Sequence, residues 1–138
     1  MNAAEFFRAL GDEERLRILN LLLRGHGEAC VCELVDALRI PQYQVSRQLG
    51  VLRGVGLVSG EKRGTWVYYR IAPELPPFHK SVLEGVAAQL QGDAALEDRE
   101  RFDMRLRLRA NGTCVLGYEP NRPFRASIPT DQIAQALP

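Results

Sequence analysis

Apolar residues over the first ninety positions recur at helical spacing in segments punctuated by glycine and proline. Ala3 to Leu10 places Phe6, Phe7 and Leu10 on one side. Asp12 is positioned to cap a second helix, Glu13 to Arg24, with acidic residues in its first turn. Leu16, Leu19 and Leu23, joined by Ile18 and Leu22, form its apolar stripe, and Arg24-Gly25-His26-Gly27 ends it. A third helix starts around Cys30 to Cys32 and runs to Leu38, burying Leu34, Val35 and Leu38, until Ile40-Pro41 breaks it. The fourth, about Gln42 to Gly54, turns Val45, Leu49 and Leu52 inward.

The period then changes. Beyond Gly54-Val55-Gly56, the runs Leu57 to Lys62 and Thr65 to Ile71 read as strands, the second rich in aromatic and β-branched residues, with Arg63-Gly64 as the turn between them. Pro76-Pro77 opens a fifth helix to about Gln91. Phe78, Val82, Val86 and Leu90 recur every fourth residue along it, with Leu83 and Ala87 widening the stripe. A small core cannot cover so broad a face, so Phe78, Val82, Val86 and Leu90, with Phe6, are expected at a dimer interface.

Asp93 to Arg109 carries two patterns. Glu97/Arg101 and Asp103/Arg107 at i,i+4 favour a helix, whereas Met104, Leu106, Leu108 and Ala110 alternate with arginines towards Asn111-Gly112, a hairpin turn pair. The reading taken is a helix with Gly112 as its stop. Thr113 to Tyr118 looks extended, and Pro120, Pro123 and Pro129 suggest a loosely packed tail. Residues 1–91 thus form one unit and 92–138 a C-terminal extension.

Two short helices joined by a three-residue link, followed by a hairpin, give the fold class: mainly α with a small β-hairpin (α+β), a winged helix-turn-helix, dimeric. The outward side of the fourth helix shows Gln42, Tyr43, Gln44, Ser46, Arg47 and Gln48, groups able to reach base edges and phosphates. Arg53 and the wing residues Lys62, Arg63 and Thr65 extend that face. Net charge is only +1, yet residues 39–70 hold six basic side chains against Glu61 alone, the footprint of a phosphate-binding surface. Double-stranded operator DNA is the expected partner. An enzyme is disfavoured, because no phosphate-cradling glycine loop appears and His26 and His79 form no triad or metal-hydrolase spacing. No stretch is apolar enough to span a bilayer, the N-terminus lacks a signal-peptide core, and three cysteines suit a reducing compartment, so the cytoplasm is expected.

Cys30-Val31-Cys32 stands directly ahead of the DNA-reading helices. Residues i and i+2 of an ideal helix point about 200° apart, so both thiols can hold one ion only if the first turn is frayed or distorted. A helix N-terminus also favours thiolate. Soft thiolates suit arsenite, antimonite, mercury or Cu(I) over hard cations. Trivalent arsenic prefers three sulfurs, and a monomethylated arsenical needs two. Cys114 is the remaining thiol; it reads equally as a third ligand or as a small apolar residue beside Val115 and Leu116. His26 reads as a loop residue.

Glu28-Ala29-Cys30-Val31-Cys32-Glu33-Leu34, then Val45-Ser46-Arg47-Gln48-Leu49 with Val51-Leu52-Arg53, then Gly64-Thr65-Trp66-Val67-Tyr68-Tyr69-Arg70 resemble the ArsR/SmtB metalloregulators over about Ala3 to Leu90. The resemblance implies a homodimeric winged-helix repressor that leaves its operator when a toxic metal or metalloid binds, and Cys-Val-Cys is similar to the arsenite-responsive branch. The inducer implied is As(III), with Sb(III) as its relative. This chain departs from that branch at Val35, where a third cysteine is usual. His79 and Glu84 are too few for the zinc site of the dimer helix, and no cysteine precedes Cys30 as in the cadmium/lead branch. A thiol-redox repressor, a sensor of another soft metal or a methylated arsenical, and a winged-helix protein-interaction module are the competing readings.

Overall fold

The computed structural model describes residues 1–24, 27–115 and 117. His26 and the tail from Glu119 onward lie outside them. Among the described residues six helices and three strands follow one another as α1 (Ala3–Leu10), α2 (Glu13–Arg24), β1 (Glu28–Cys30), α3 (Val31–Leu38), α4 (Gln42–Gly54), β2 (Val58–Arg63), β3 (Trp66–Ile71), α5 (Pro77–Gln89) and α6 (Asp93–Leu106). The order and class are those of a winged helix-turn-helix.

Local chemistry explains the boundaries. The Asn2 side chain accepts from the Glu5 amide at 2.8 Å while Glu5 reaches back to the Asn2 amide, a reciprocal cap on α1. Asp12 accepts the Arg15 amide at 3.0 Å and starts α2. α3 ends where Arg39 turns left-handed (φ 57°) and returns its amide to the Val35 carbonyl, 2.9 Å away. Pro41 then precedes α4, packed against α3 through Val45, Leu49 and Leu52.

The hairpin carries a third strand that periodicity did not announce. β1 pairs antiparallel with β3, giving the order β1-β3-β2 and setting Cys30 opposite Tyr68 and Glu28 opposite Arg70. Three residues are too short to show an alternation. The wing turn sits one residue later than expected: Arg63 belongs to β2 and pairs with Trp66, leaving Gly64-Thr65 as the loop. Gly64 takes φ 63° at the first loop position, which a residue with a Cβ resists.

α6 is the helix that i,i+4 pairing suggested, but Gly112 does not end it. The helix stops at Leu106, and Asn111 (φ 54°) and Gly112 (φ 74°) form a left-handed pair that closes a tight turn between Ala110 and Thr113. The Asn-Gly pair therefore acts as a hairpin turn.

The apparent alternation of arginines has another cause. Arg105 and Arg109 face α3, whereas Arg107 stays exposed. Along that side Asp98 receives both Arg17 and Arg101, Arg105 reaches Asp36 at 2.6 Å, and Arg109 reaches Glu33 at 2.6 Å. Arg17 and Arg101 also donate to the carbonyls of Leu38 and Ala37, which end α3. These charge-assisted bonds lay α6 across α3, and Phe102 and Leu106 join the main core. Among the described residues, no helix is long and apolar enough to cross a membrane.

Candidate metal centre and nucleic-acid interface

Cys30 is the last residue of β1 and the N-cap of α3, with extended backbone (φ −88°, ψ 165°). Cys32 follows inside the first helical turn. Because Cys30 stands outside the helix, the opposed directions of an i,i+2 helical pair do not apply, and its Sγ lies 3.1 Å from that of Cys32. No fraying is needed to bring them together. Cys114, delivered by the turn after α6, lies 3.5 Å from Cys32, and the three sulfurs all fall within 4.8 Å of one another. All three are buried.

The expectation of thiolates at a helix N-terminus is also corrected. Hydrogen bonding to Cys114 and, after it, burial push the Cys32 thiol up to about 12, against the hydrogen bond from Cys30 and the smaller pull of the Arg105 charge. Cys30 is raised further, by hydrogen bonding within the trio, with Cys114 first, and then by burial and by the nearby Glu33 charge. Hydrogen bonding to Cys114 and burial outweigh the helix dipole at Cys30 and Cys32, so these two thiols rest protonated.

The surroundings hold the trio in place. The Cys30 amide donates to Glu33 Oε1 at 3.0 Å, and Arg109 grips both Glu33 oxygens while donating to the Glu28 carbonyl at 3.1 Å. The Cys114 amide donates to the Tyr68 hydroxyl at 2.8 Å, and Trp66 packs against the cluster. The sequence reading missed Glu33, Arg109, Tyr68 and Trp66. A glutamate three residues after an N-cap is a capping-box spacing, and that signal was available for Glu33.

Of the residues expected at DNA, Gln42, Ser46, Arg47, Arg53, Lys62 and Thr65 are exposed, Tyr43 is 68 % exposed, and Gln44 is half-buried. They share the surface of α4 and the wing. Gln48 departs from them: it is 5 % exposed, accepts from Arg15 at 2.8 Å and donates to Glu14 at 3.0 Å. Those partners turn it inward, as a tie between α4 and α2. Arg63 is exposed at its edge but engaged, 2.6 Å from Glu28 and stacked 3.8 Å over the Tyr68 ring.

On the expected dimer face, Phe6 is fully buried within the subunit, packed on His79 at 4.3 Å between centroids. Its neighbour Phe7, 51 % exposed, and Phe78, 56 % exposed, carry the outward aromatic surface. Val82, Val86 and Leu90 are half-buried, while Leu83 and Ala87 are the residues of α5 that enter the interior.

Fold and surface together define a winged helix-turn-helix protein of the DNA-binding regulatory class. Residues 12–59 match the pattern of the bacterial regulatory protein arsR family. The arsenic resistance transcriptional regulator ArsR1 of Pseudomonas putida is 44 % identical over 80 residues, covering 58 % of this chain and 62 % of that protein. The arsenical resistance operon repressor of Escherichia coli is 42 % identical, over 58 % of this chain and 68 % of its own. Among solved structures, Rv0081 of Mycobacterium tuberculosis superposes with a TM-score of 0.53 at 34 % identity, covering 70 % of this chain and 91 % of that one. Reduced HlyU from Vibrio cholerae gives 0.56 at 29 %, covering 65 % and 90 %. The chain belongs to the ArsR family.

Proposed function

We propose that this protein is a metalloid-responsive transcriptional repressor. As a homodimer it holds operator DNA, and it releases the DNA when trivalent arsenic, or antimony, binds Cys30, Cys32 and Cys114. The single observation carrying this reading is the buried trio of thiols within 4.8 Å, two of them at the start of the helix that packs on α4. Its chemistry suits a neutral product. Arsenous acid condenses with three thiols by forming three As–S bonds and releasing three waters, so no net charge enters the site. A divalent cation on three thiolates leaves a buried negative charge, which is costly. With metal–sulfur bonds of about 2.3 Å, sulfurs 3.1 and 3.5 Å apart correspond to the narrow angles of a pyramidal centre, below the roughly 3.8 Å of a tetrahedral one. The names of the relatives in Pseudomonas putida and Escherichia coli point to the same inducer class.

In this reading residues 1–91 bind DNA and dimerise, and the chain from 92 onward supplies the third thiol. Gln42, Tyr43, Gln44 and Ser46 face base edges, and Arg47, Arg53, Lys62, Arg63 and Thr65 face phosphates or the groove. Phe78, Val82, Val86 and Leu90 meet the second copy. The trio is assembled before an ion arrives, so helix unwinding is not the trigger. The ion instead welds the segment after α6 to β1 and α3, and a differential of about 1–3 kcal/mol between bound and free forms is enough to shift operator occupancy several-fold or more. No catalytic step is involved.

The test is release of an operator duplex, followed by fluorescence anisotropy under reductant, with arsenite, antimonite, cadmium and a monomethylated arsenical. Wild type is compared with Cys30→Ser, Cys32→Ser and Cys114→Ser. Release by arsenite that requires all three thiols is the expected result. A normal arsenite response in Cys114→Ser overturns the three-thiol site. A redox reading has one observation in its favour, the 3.5 Å approach of Cys32 and Cys114; release by oxidant alone would establish it.

A further inference from the structure

One face of the small sheet joins the thiols to the wing. In the antiparallel register Cys30 lies opposite Tyr68 and Glu61 opposite Tyr68, so Glu28 and Cys30 of β1, Trp66 and Tyr68 of β3, and Glu61 and Arg63 of β2 point to the same side. Tyr68 stands at the centre. Its hydroxyl accepts the Cys114 amide at 2.8 Å, and its ring carries the Arg63 guanidinium at 3.8 Å. Arg63 folds back along the strand to reach that ring, and Glu28 holds its far side at 2.6 Å. Thus one buried side chain touches the backbone of a thiol residue at one end and a cation at the base of the wing tip at the other.

Nothing in the packing alone demands this arrangement. Arg63 is the last residue of β2 and has solvent available beside it, as Lys62 does. A guanidinium stacked on an aromatic ring and paired with a carboxylate gives up mobility, so it is held in one position instead of sweeping the backbone of a duplex. Where it is held depends on the Tyr68 ring, and the ring is fixed by Cys30 across the sheet and by the Cys114 amide.

We infer that Tyr68 is a positioning residue that passes occupancy of the thiol trio to the wing, by setting where the Arg63 guanidinium stands. When bonds to the inducer replace the sulfur–sulfur contacts, Cys114 is locked to Cys30 and Cys32 and its amide turns against the Tyr68 hydroxyl. The ring follows, and Arg63 leaves the phosphate it met in the free form. This route runs through β3 and is separate from the packing of α3 on α4. It rests on the metalloid reading above and names how that site is read out at the wing.

The decisive variant is Tyr68→Phe, which removes the hydroxyl that receives Cys114 and keeps the ring beneath Arg63. Arsenite occupancy is read without DNA from the emission of Trp66, the one tryptophan of the chain, which packs against the trio. Operator affinity is read by anisotropy across a salt series. In wild type the salt slope should fall by about 1.8 on adding arsenite, the loss of one phosphate contact in each of the two copies. For Tyr68→Phe, release is read at arsenite concentrations that saturate its own Trp66 signal and against its own ligand-free operator affinity. Its arsenite-induced loss of operator affinity should shrink by about tenfold, and its salt slope should not change. Arsenite-driven release equal to wild type overturns the inference, and so does loss of arsenite binding itself, because Tyr68 then serves only to build the site. Should Tyr68→Phe fail to fold, Glu28→Gln decides: unpinning Arg63 should likewise weaken release, and undiminished release overturns the inference. A wild type that binds operator but ignores arsenite overturns the metalloid reading and this route together; a responsive wild type with an equally responsive Tyr68→Phe overturns the route alone.

Discussion

Arg109 lays two guanidinium nitrogens on the two oxygens of Glu33, Nε to Oε2 at 2.6 Å and Nη2 to Oε1 at 2.7 Å, and both side chains are almost entirely buried. Glu33 Oε1 also receives the Cys30 amide. One carboxylate therefore joins the start of α3 to the segment that turns towards Cys114. Replacing Arg109 with Leu leaves that carboxylate buried without its cation, which should cost about 3–5 kcal/mol in urea unfolding. The double variant Arg109→Leu with Glu33→Gln should recover part of the loss, since no uncompensated charge remains. Equal destabilisation in single and double variants would show that packing, not charge, is what Arg109 supplies.

The raised thiols predict opposite pH behaviour for two inducers. At pH 6–8 Cys32, pushed up to about 12, and Cys30, raised as well, hold their protons. Arsenous acid takes up those protons as water, so its affinity should be nearly flat from pH 6 to 8. Cadmium must displace the protons, so its affinity should climb with pH, by as much as about a thousandfold per unit if all three leave. Isothermal titration in several buffers separates the two. A cadmium affinity flat with pH, beside an arsenite affinity that falls as pH rises, would show thiolates already present in the resting site.

Gln48 and Lys62 divide the helix-turn-helix face into two kinds of residue. Gln48 ties α4 to Arg15 and Glu14 of α2, so Gln48→Ala should lower stability by about 1–2 kcal/mol and leave operator affinity of the folded protein unchanged. Lys62 is exposed on the wing, so Lys62→Ala should leave stability alone, weaken binding to all sequences, and reduce the salt slope of the dimer by about 1.8, about 0.9 for each copy. A loss of sequence preference in Gln48→Ala with stability intact would return Gln48 to the base-reading face.

What was legible in the chain follows the strength of each periodic signal. Helices α1, α2, α4 and α5 repeat apolar residues over two turns or more, and their limits lie within two residues of those expected. β1 is three residues long and exists only because β3 is there to pair with it, a long-range fact that no local pattern records. Arg105, Arg107 and Arg109 imitated a strand because partners on α3, distant in sequence, made buried residues of the first and the last. The same distance left Cys114 evenly balanced between a third ligand and a small apolar residue. Spacing defined the pair Cys30 and Cys32, but the turn at Asn111-Gly112 and the salt bridge to Glu33 decide where the third thiol goes. The helical angle between Cys30 and Cys32 was a misleading guide for a simpler reason: one of them is a cap, outside the helix.

The apolar surface of α1 and α5 leads to the last prediction. Phe7 and Phe78 face solvent with ring centroids 6.4 Å apart, and the buried Phe6 supports both from beneath, at 5.3 and 6.2 Å. Two large exposed aromatic rings on adjoining helices are an unfavourable surface for a monomer, and a two-fold interface would cover both at once in each copy. Phe78→Glu puts a charge in that patch without disturbing the interior, because the residues of α5 that enter the core are Leu83 and Ala87. Sedimentation equilibrium should therefore show a folded monomer, and operator affinity should fall by at least about a hundredfold, since each copy then meets only one half-site. Phe6→Ala should act differently, opening a cavity within the subunit at a cost of about 3–5 kcal/mol. If Phe78→Glu stays dimeric with operator affinity intact, the second copy docks elsewhere on the molecule.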